Sequence, residues 1–395
     1  MKELKYILVG LVLVNVSCTV FEPAVPDSNQ LLDGPVEGLS GGEHQQFLRG
    51  DVAFNDQIFT ADSGLGPLFV ATSCGSCHLG DGKGHPFTTL TRFGQVDDTG
   101  NQFLNQGGPQ LQHRAIAGFY PEQIPLGATS TKLLPPANTG LGFIDAVSDA
   151  DIFLWADPTD ANNDGISGVP NYVSLKGYVV DRPNSITQNG KYIGRFGKKA
   201  STYNLLQQTA QAYNQDIGIT STYEDKDTYS GSVSDPEVSN QTVADVVFYL
   251  KTLKAPIPRA ETSEVLSGKQ LFTTVGCDQC HRPEMKTGAT EITALSNKTF
   301  HPYSDLLLHD MGPGLDDGYT EGSAKTYEWR TPPLWGLGLS KKSQGGQYYL
   351  LHDGRARSIS EAILLHGGEG DQSKIKYQAL TEAEKQKLIQ FLESL

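Results

Sequence analysis

The sequence predicts a mainly α protein made of two similar units with long irregular loops. Three observations carry this expectation. A five-residue pattern, Cys-x-x-Cys-His, stands at 74–78 and returns at 277–281. Each half of the chain closes on an amphipathic segment with helical spacing. Between these marks run stretches rich in Gly, Pro and Asn, with few of the period-two alternations that mark strands.

In chain order, residues 1–18 (MKELKYILVGLVLVNVSC) place two lysines ahead of an apolar run from Tyr6 to Val16, too short to stay as a membrane span. Ser17 then precedes Cys18, an arrangement similar to a bacterial lipoprotein signal in which Cys18 becomes the lipidated first residue. The expected address is the periplasm or cell envelope, with the membrane reached only through that lipid. Residues 19–40, rich in Pro, Gly, Ser and acidic side chains, read as a flexible tether. The first unit spans 41–254, Ala255-Pro256-Ile257-Pro258 reads as a linker, and the second unit spans 261–395. The first closes at 242–253, where Val243, Val246, Val247, Leu250 and Leu253 recur at helical spacing. The second closes at 380–395, with Thr381 as N-cap, Glu384 three residues on, and Leu388, Phe391, Leu392 and Leu395 as the stripe.

A chain of 395 residues with 38% hydrophobic and 19% charged residues has globular composition. Its 31 basic against 45 acidic residues leave a net charge of −14, which argues against nucleic acid as a partner and suits a basic redox protein.

The repeated pattern has a specific chemistry. Two thiols three apart add across the vinyl groups of haem, and the adjacent histidine reaches the iron. That assigns Cys74, Cys77 and His78 to one covalent haem and Cys277, Cys280 and His281 to a second. A zinc site from two Cys-x-x-Cys pairs leaves both trailing histidines unexplained. A redox dithiol wants a strand–helix context that neither copy has, and three-apart staples are uncommon in a large exported chain. A Cys-x-x-Cys-His near the front and an amphipathic helix at the back is the layout of a cytochrome c domain, and here it occurs twice.

Longer blocks then carry a family resemblance: GPLFVATSCGSCHLGDGKG (66–84), GGPQLQHRAIAGF (107–119), GLGFIDAVSDADI (140–152), ADPTDANNDGISG (156–168), GRFGKKAS (194–201), DIGITS (216–221), DLLLHDMGPGL (305–315), EWRTPPLWGLGL (328–339) and LLHDGRARSISEAILLHGGE (350–369). The chain resembles the bacterial di-haem oxidoreductases of peroxidase type, a group also labelled thiol oxidoreductase. That group is similar to di-haem cytochrome c peroxidases and to the di-haem enzyme that matures methylamine dehydrogenase. The label's thiol finds no support in the residues, because haem and lipid would consume all five cysteines.

A haem with two strong axial ligands transfers electrons, and one with an open face binds peroxide, so the remaining ligands decide the mechanism. For the second haem, Met285 stands too close to His281 to cross to the far face. Met311, in a Gly-Pro loop, and His366 are the candidates, and the resemblance favours His366, which falls at a peroxidase axial position. His352 is expected to shape the pocket. For the first haem, His85 after the DGKG turn and His113 beside Arg114 are within reach, and the resemblance puts His113 and Arg114 in a distal-side loop. The resemblance also puts Asp145 where relatives hold a distal acid, the group that moves a proton between peroxide oxygens. Trp329 and Trp335 read either as electron relays or as packing.

DANNDG (160–165) matches the opening of a calcium loop, with Asp160, Asn162 and Asp164 as oxygen ligands, although Asn171 stands where an EF-hand needs a glutamate. The resemblance likewise implies calcium between the two units. The expected function is an exported peroxidase-like oxidoreductase that draws electrons from a small donor, cytochrome or cupredoxin-like. The alternatives are an electron carrier with both irons six-coordinate and a haem-based oxidase of a partner protein.

Overall fold

Ser40 starts the first long helix, Gly41–Asn55: its hydroxyl accepts the Glu43 amide while Glu43 accepts the Ser40 amide at 2.8 Å. This capping box satisfies two amides that a helix start leaves unpaired. The computed structural model describes residues 32–395; the signal-like segment with Cys18, and residues 19–31 of the expected tether, lie outside the described residues. Residues 32–40 are not loose. Pro35 bridges to Leu253, the Val36 amide donates to the Thr252 carbonyl at 2.7 Å, and Leu39 packs on the first core.

The fold is mainly α. Besides Gly41–Asn55 its longer helices are Leu205–Ile217, Asn240–Thr252, Ser263–Val275, Asp371–Ala379 and Glu382–Ser394. Each begins where the sequence offers a cap except Asp371–Ala379: Asn204, Ser239, Thr262 and Thr381 each accept an amide of the first turn. The Thr381–Glu384 box forms as the sequence predicts. Strands are two to four residues long and pair into five small antiparallel sheets among the described residues. No helix among the described residues is long and apolar enough to cross a membrane.

The same helix crossing occurs twice. Helix Gly41–Asn55 packs on Asn240–Thr252, and Ser263–Val275 packs on Glu382–Ser394. At the first crossing a Cβ on Gly50 would meet the Asp245 carbonyl oxygen at 2.1 Å and Tyr249 Cβ at 2.6 Å. At the second, a Cβ on Gly268 would meet the Lys387 carbonyl oxygen at 2.1 Å and Phe391 Cβ at 2.7 Å. Only glycine lets the backbones approach so closely. Around the first crossing Phe47, Phe54, Val246, Tyr249 and Leu250 are buried, and around the second Val265, Phe272, Leu388, Phe391 and Leu392. Each such side chain contributes about 1.5–3 kcal/mol on burial.

The cores do not divide where the sequence does. Met285 and Phe300, opposite each other on a short strand pair, pack with Leu306 and Leu307 into the first core. Leu308 bridges to Val169, and the Gly288 amide donates to Ala146 at 2.8 Å. The chain that follows the second cysteine motif is therefore built into the first helical layer. This also places Met285 in that core.

Gly50→Ala and Gly268→Ala should each cost about 1–3 kcal/mol through overpacking. Gly42→Ala, where an added Cβ meets nothing within 4 Å, should be neutral or stabilising. Thermal unfolding of the three variants checks this, and equal midpoints would contradict the close crossing.

Candidate functional site

Both cysteine motifs fold as tight turns that put two thiols and an imidazole on one side. In the first, the Cys77 and His78 amides both donate to the Cys74 carbonyl at 3.1 Å. In the second, helix Ser263–Val275 stops at Gly276, whose φ of 91° only glycine adopts readily, and the His281 amide donates to Cys277 at 2.9 Å. None of the four cysteines is in a disulfide. Burial pushes Cys74 up to about 12, Cys77 to about 11 and Cys277 to about 12, and it raises Cys280 as well. Burial thus works against a thiolate at each of the four.

The histidines are held alike. His78 Nδ1 lies 3.0 Å from the Pro136 carbonyl and His281 Nδ1 lies 2.9 Å from the Tyr303 carbonyl. A carbonyl only accepts, so Nδ1 carries the proton and Nε2 keeps its lone pair. Burial depresses both imidazoles to about 4, which keeps them neutral near pH 7. Both motifs border one continuous cavity of about 430 Å³ with a mostly apolar wall, including Phe54, Leu133, Leu250, Phe272, Leu334 and Trp335. Paired thiols, a neutral imidazole with a free Nε2 and an apolar slot at each end form the donor set that haem requires.

His366 repeats the arrangement. Its Nδ1 lies 2.7 Å from the Ala362 carbonyl, it lines the cavity, and burial lowers its pKa, which favours the neutral ring. Met311 also lines the cavity but packs among Leu133, Leu315 and Trp329. His352 shapes the wall: it stacks on Trp329 with ring centroids 3.7 Å apart, and burial lowers it to about 3. Trp335 lines the same cavity and packs beside Phe300.

The residues expected around the first haem fall elsewhere. His85 caps a short turn by accepting the Phe87 amide and packs edge-on against Tyr349. His113 and Arg114 are exposed, with Arg114 over the Phe69 ring. None of the three borders the cavity. Asp145 does not border it either. Its carboxylate is buried between Arg182 at 2.5 Å and Lys251 at 3.2 Å. Burial pushes its pKa up, but Arg182, Lys251 and Arg195 outweigh that and hold it below the ordinary value. It is a structural anion rather than a proton donor to the cavity. In the loop at 160–165, Asp160, Asn162 and Asp164 side chains accept amides of the same loop, as Asx turns do. That geometry adds no argument for an ion.

Two groups escaped the sequence reading. His309 is buried between Asp305 Oδ2 at 2.9 Å and Glu369 Oε2 at 2.6 Å, with its Nδ1 3.7 Å from Cys280 Sγ. Burial opposes its charge, yet Asp305 overrides this and holds its proton well above the usual range. The block DLLLHD carried the signal, an acid and an imidazole four apart in an apolar run. Asp216 lies at the end of helix Leu205–Ile217, lines the cavity, and keeps Oδ1 without a partner. Thr209 Oγ1 and Tyr213 Oη, on the same helix and also lining the cavity, are likewise unpartnered. Burial raises Asp216 to about 6 against the pull of Arg92, and its charge acts on Cys74 and Cys77.

Asp145→Asn should destabilise the protein by about 3–5 kcal/mol, because it leaves buried cations uncompensated. The native contribution is present above the unfolded carboxyl value of about 3.9. It is lost as pH falls through the lower native value, so variant and parent should converge in acid unfolding. Any redox turnover of the folded variant should stay within a few-fold of the parent's. A loss of a hundredfold or more would restore Asp145 as the acid.

The family profile described as "Di-haem oxidoreductase, putative peroxidase" matches residues 123–395. No curated protein matches. Among solved structures, hydrazine synthase of Kuenenia stuttgartiensis is similar at 14% identity and a TM-score of 0.40, over 100% of this chain and 99% of that one. A MauG-like protein associated with microbial copper homeostasis is similar at 16% identity and a TM-score of 0.31, over 65% of this chain and 87% of its own. Neither score is high enough to bear on function. The profile covers most of the chain and includes the second cysteine motif, and with it this chain belongs to the di-haem oxidoreductase family, whose cofactor is haem.

Proposed function

We propose that the chain is an exported c-type di-haem oxidoreductase of peroxidase kind. Cys74 and Cys77 would hold one haem with His78 on its iron, and Cys277 and Cys280 the other with His281. The observation that carries the proposal is the shared cavity, bordered by both motifs and by both backbone-tied imidazoles. Haem, when bound, supplies one-electron chemistry and an iron at which an oxidant such as hydrogen peroxide is reduced. Reducing one peroxide to two waters takes two electrons, from a small donor protein, and two protons.

The chain's own residues give the two ends different tasks. His366 offers a second neutral imidazole toward the His281 end, which suits an electron-holding iron with two strong ligands. At the His78 end neither His85 nor His113 borders the cavity, which suits an iron left open to a small oxidant. Asp216 takes the part that the resemblance gave to Asp145. Its buried carboxyl holds a proton more readily than an exposed one and has an oxygen free to deliver it. The net charge of −14 suits a donor with a basic face. Export rests on residues 1–18 alone, with lipid on Cys18.

Intact mass of the protein from a host that matures c-type cytochromes should exceed the mass of the processed polypeptide and its lipid by two haems. Replacing Cys74 and Cys77 together with Ala should remove one of them. A mass without haem from such a host would end the proposal. Asp216→Asn should lower peroxide turnover by about 10²–10⁴ while leaving both haems and their resting spectra in place. Undiminished turnover would remove Asp216 from the chemistry.

A further inference from the structure

An apolar cavity is an expensive place for a lone ammonium. Charged groups taken from water need a partner, or else they give up their proton. Lys83 and Lys198 both line the cavity, and among the described residues neither ammonium has an ion pair or a hydrogen-bond acceptor. Burial lowers Lys83 to about 8, and burial with the neighbouring charges of Lys83 and Arg330 lowers Lys198 to about 7. Asp353 is the acid whose field reaches Lys198, but its carboxylate is paired with Arg355 at 2.8 Å.

Main-chain bonds join Lys198 to Arg330, and Lys83 lies near enough for its charge to act on Lys198. Lys83 follows the first motif by five residues, and its neighbour Gly84 donates to the Pro135 carbonyl at 3.0 Å, next to the carbonyl that holds His78. The Lys198 carbonyl accepts the Arg330 amide at 3.0 Å, and Arg330 Nε donates to Gly197 at 3.0 Å. Arg330 Nη1 donates to the Thr331 carbonyl at 3.4 Å, and among the described residues Nη2 has no acceptor. The charge of Lys198 acts on His78, and that of Asp305, near the second motif, acts on Arg330. Three loops distant in sequence thus bring three cations to the cavity wall. Among the described residues no carboxylate forms an ion pair with any of the three.

We propose that Lys83, Lys198 and Arg330 form an anion site in the cavity wall, built to receive carboxylate groups. Carboxylates reach such a site from two sources: the propionates of a bound haem or a small free carboxylate. The first source rests on the haem reading above, and the second does not.

The test uses the haem-loaded protein with Lys83→Met, Lys198→Met and the charge-keeping Lys198→Arg. Midpoint potentials come from spectroelectrochemistry, and formate affinity from optical titration and calorimetry. A cation beside a haem carboxylate favours the added electron. If propionates occupy the site, each Met variant lowers the potential of one haem, Lys198→Arg restores it, and formate binding does not change. If a free carboxylate occupies it, potentials hold while formate affinity falls at least tenfold in the Met variants. Either result supports the site. Unchanged potentials together with unchanged formate affinity would overturn it. A protein without haem bands would instead defeat the haem reading, and formate calorimetry on that same protein would still decide the anion site.

Discussion

The hydrogen bond from an imidazole Nδ1 to a main-chain carbonyl is the constraint on which the rest of this molecule depends. It fixes the tautomer, turns Nε2 toward the cavity and keeps the ring from rotating. Much of the fold serves to hold those carbonyls still. Tyr303 presents its carbonyl to His281 from a left-handed backbone with φ of 55°, a conformation that costs a tyrosine about 1–2 kcal/mol. Its ring is wedged between Phe272 and Phe391, each 5.8 Å away, and those two rings belong to the second helix crossing. At the first crossing Tyr249 donates to Asp81 at 2.8 Å, and the Asp81 carbonyl accepts the Asn138 amide two residues beyond Pro136. In both halves an aromatic residue of the closing helix links the crossing to the segment that orients the histidine.

That connection explains why glycine stands at both crossings. A wider approach would move Tyr249 or Phe391 outward, and the carbonyls they support would shift with them. The polar groups at the cavity follow the opposite rule. His309 is satisfied by two carboxylates, while Asp216, Lys83 and Lys198 keep atoms free. A wall that satisfied every polar atom internally would have nothing left with which to act on a bound group or an oxidant.

The parts legible in the sequence are those set by local rules. The Thr381–Glu384 cap, the stripe at 243–253 and the two cysteine turns depend on neighbours a few residues apart, and the structure has each of them. Asp145, His113 and His85 were placed by closeness in sequence or by resemblance, and such placement ignores what else competes for a side chain. Arg182, thirty-seven positions after Asp145, captures its carboxylate. Asp216 and Lys198 were illegible for the complementary reason. Their roles come from contacts among separate loops, and no local pattern distinguishes them from ordinary buried or surface residues. Residues 285–307 crossed the expected unit boundary because an apolar strand pair buries itself wherever a core will take it, whatever its place in the chain.

The central proposal is that the cavity would hold two inequivalent haems, one offered His281 and His366 and the other His78 alone. Electron paramagnetic resonance of the oxidised and half-reduced protein, with and without hydrogen peroxide, tests it most directly. The account predicts one low-spin signal that peroxide leaves alone and one high-spin signal that peroxide abolishes. Two low-spin signals in every state, both indifferent to peroxide, would contradict it and make the molecule an electron carrier.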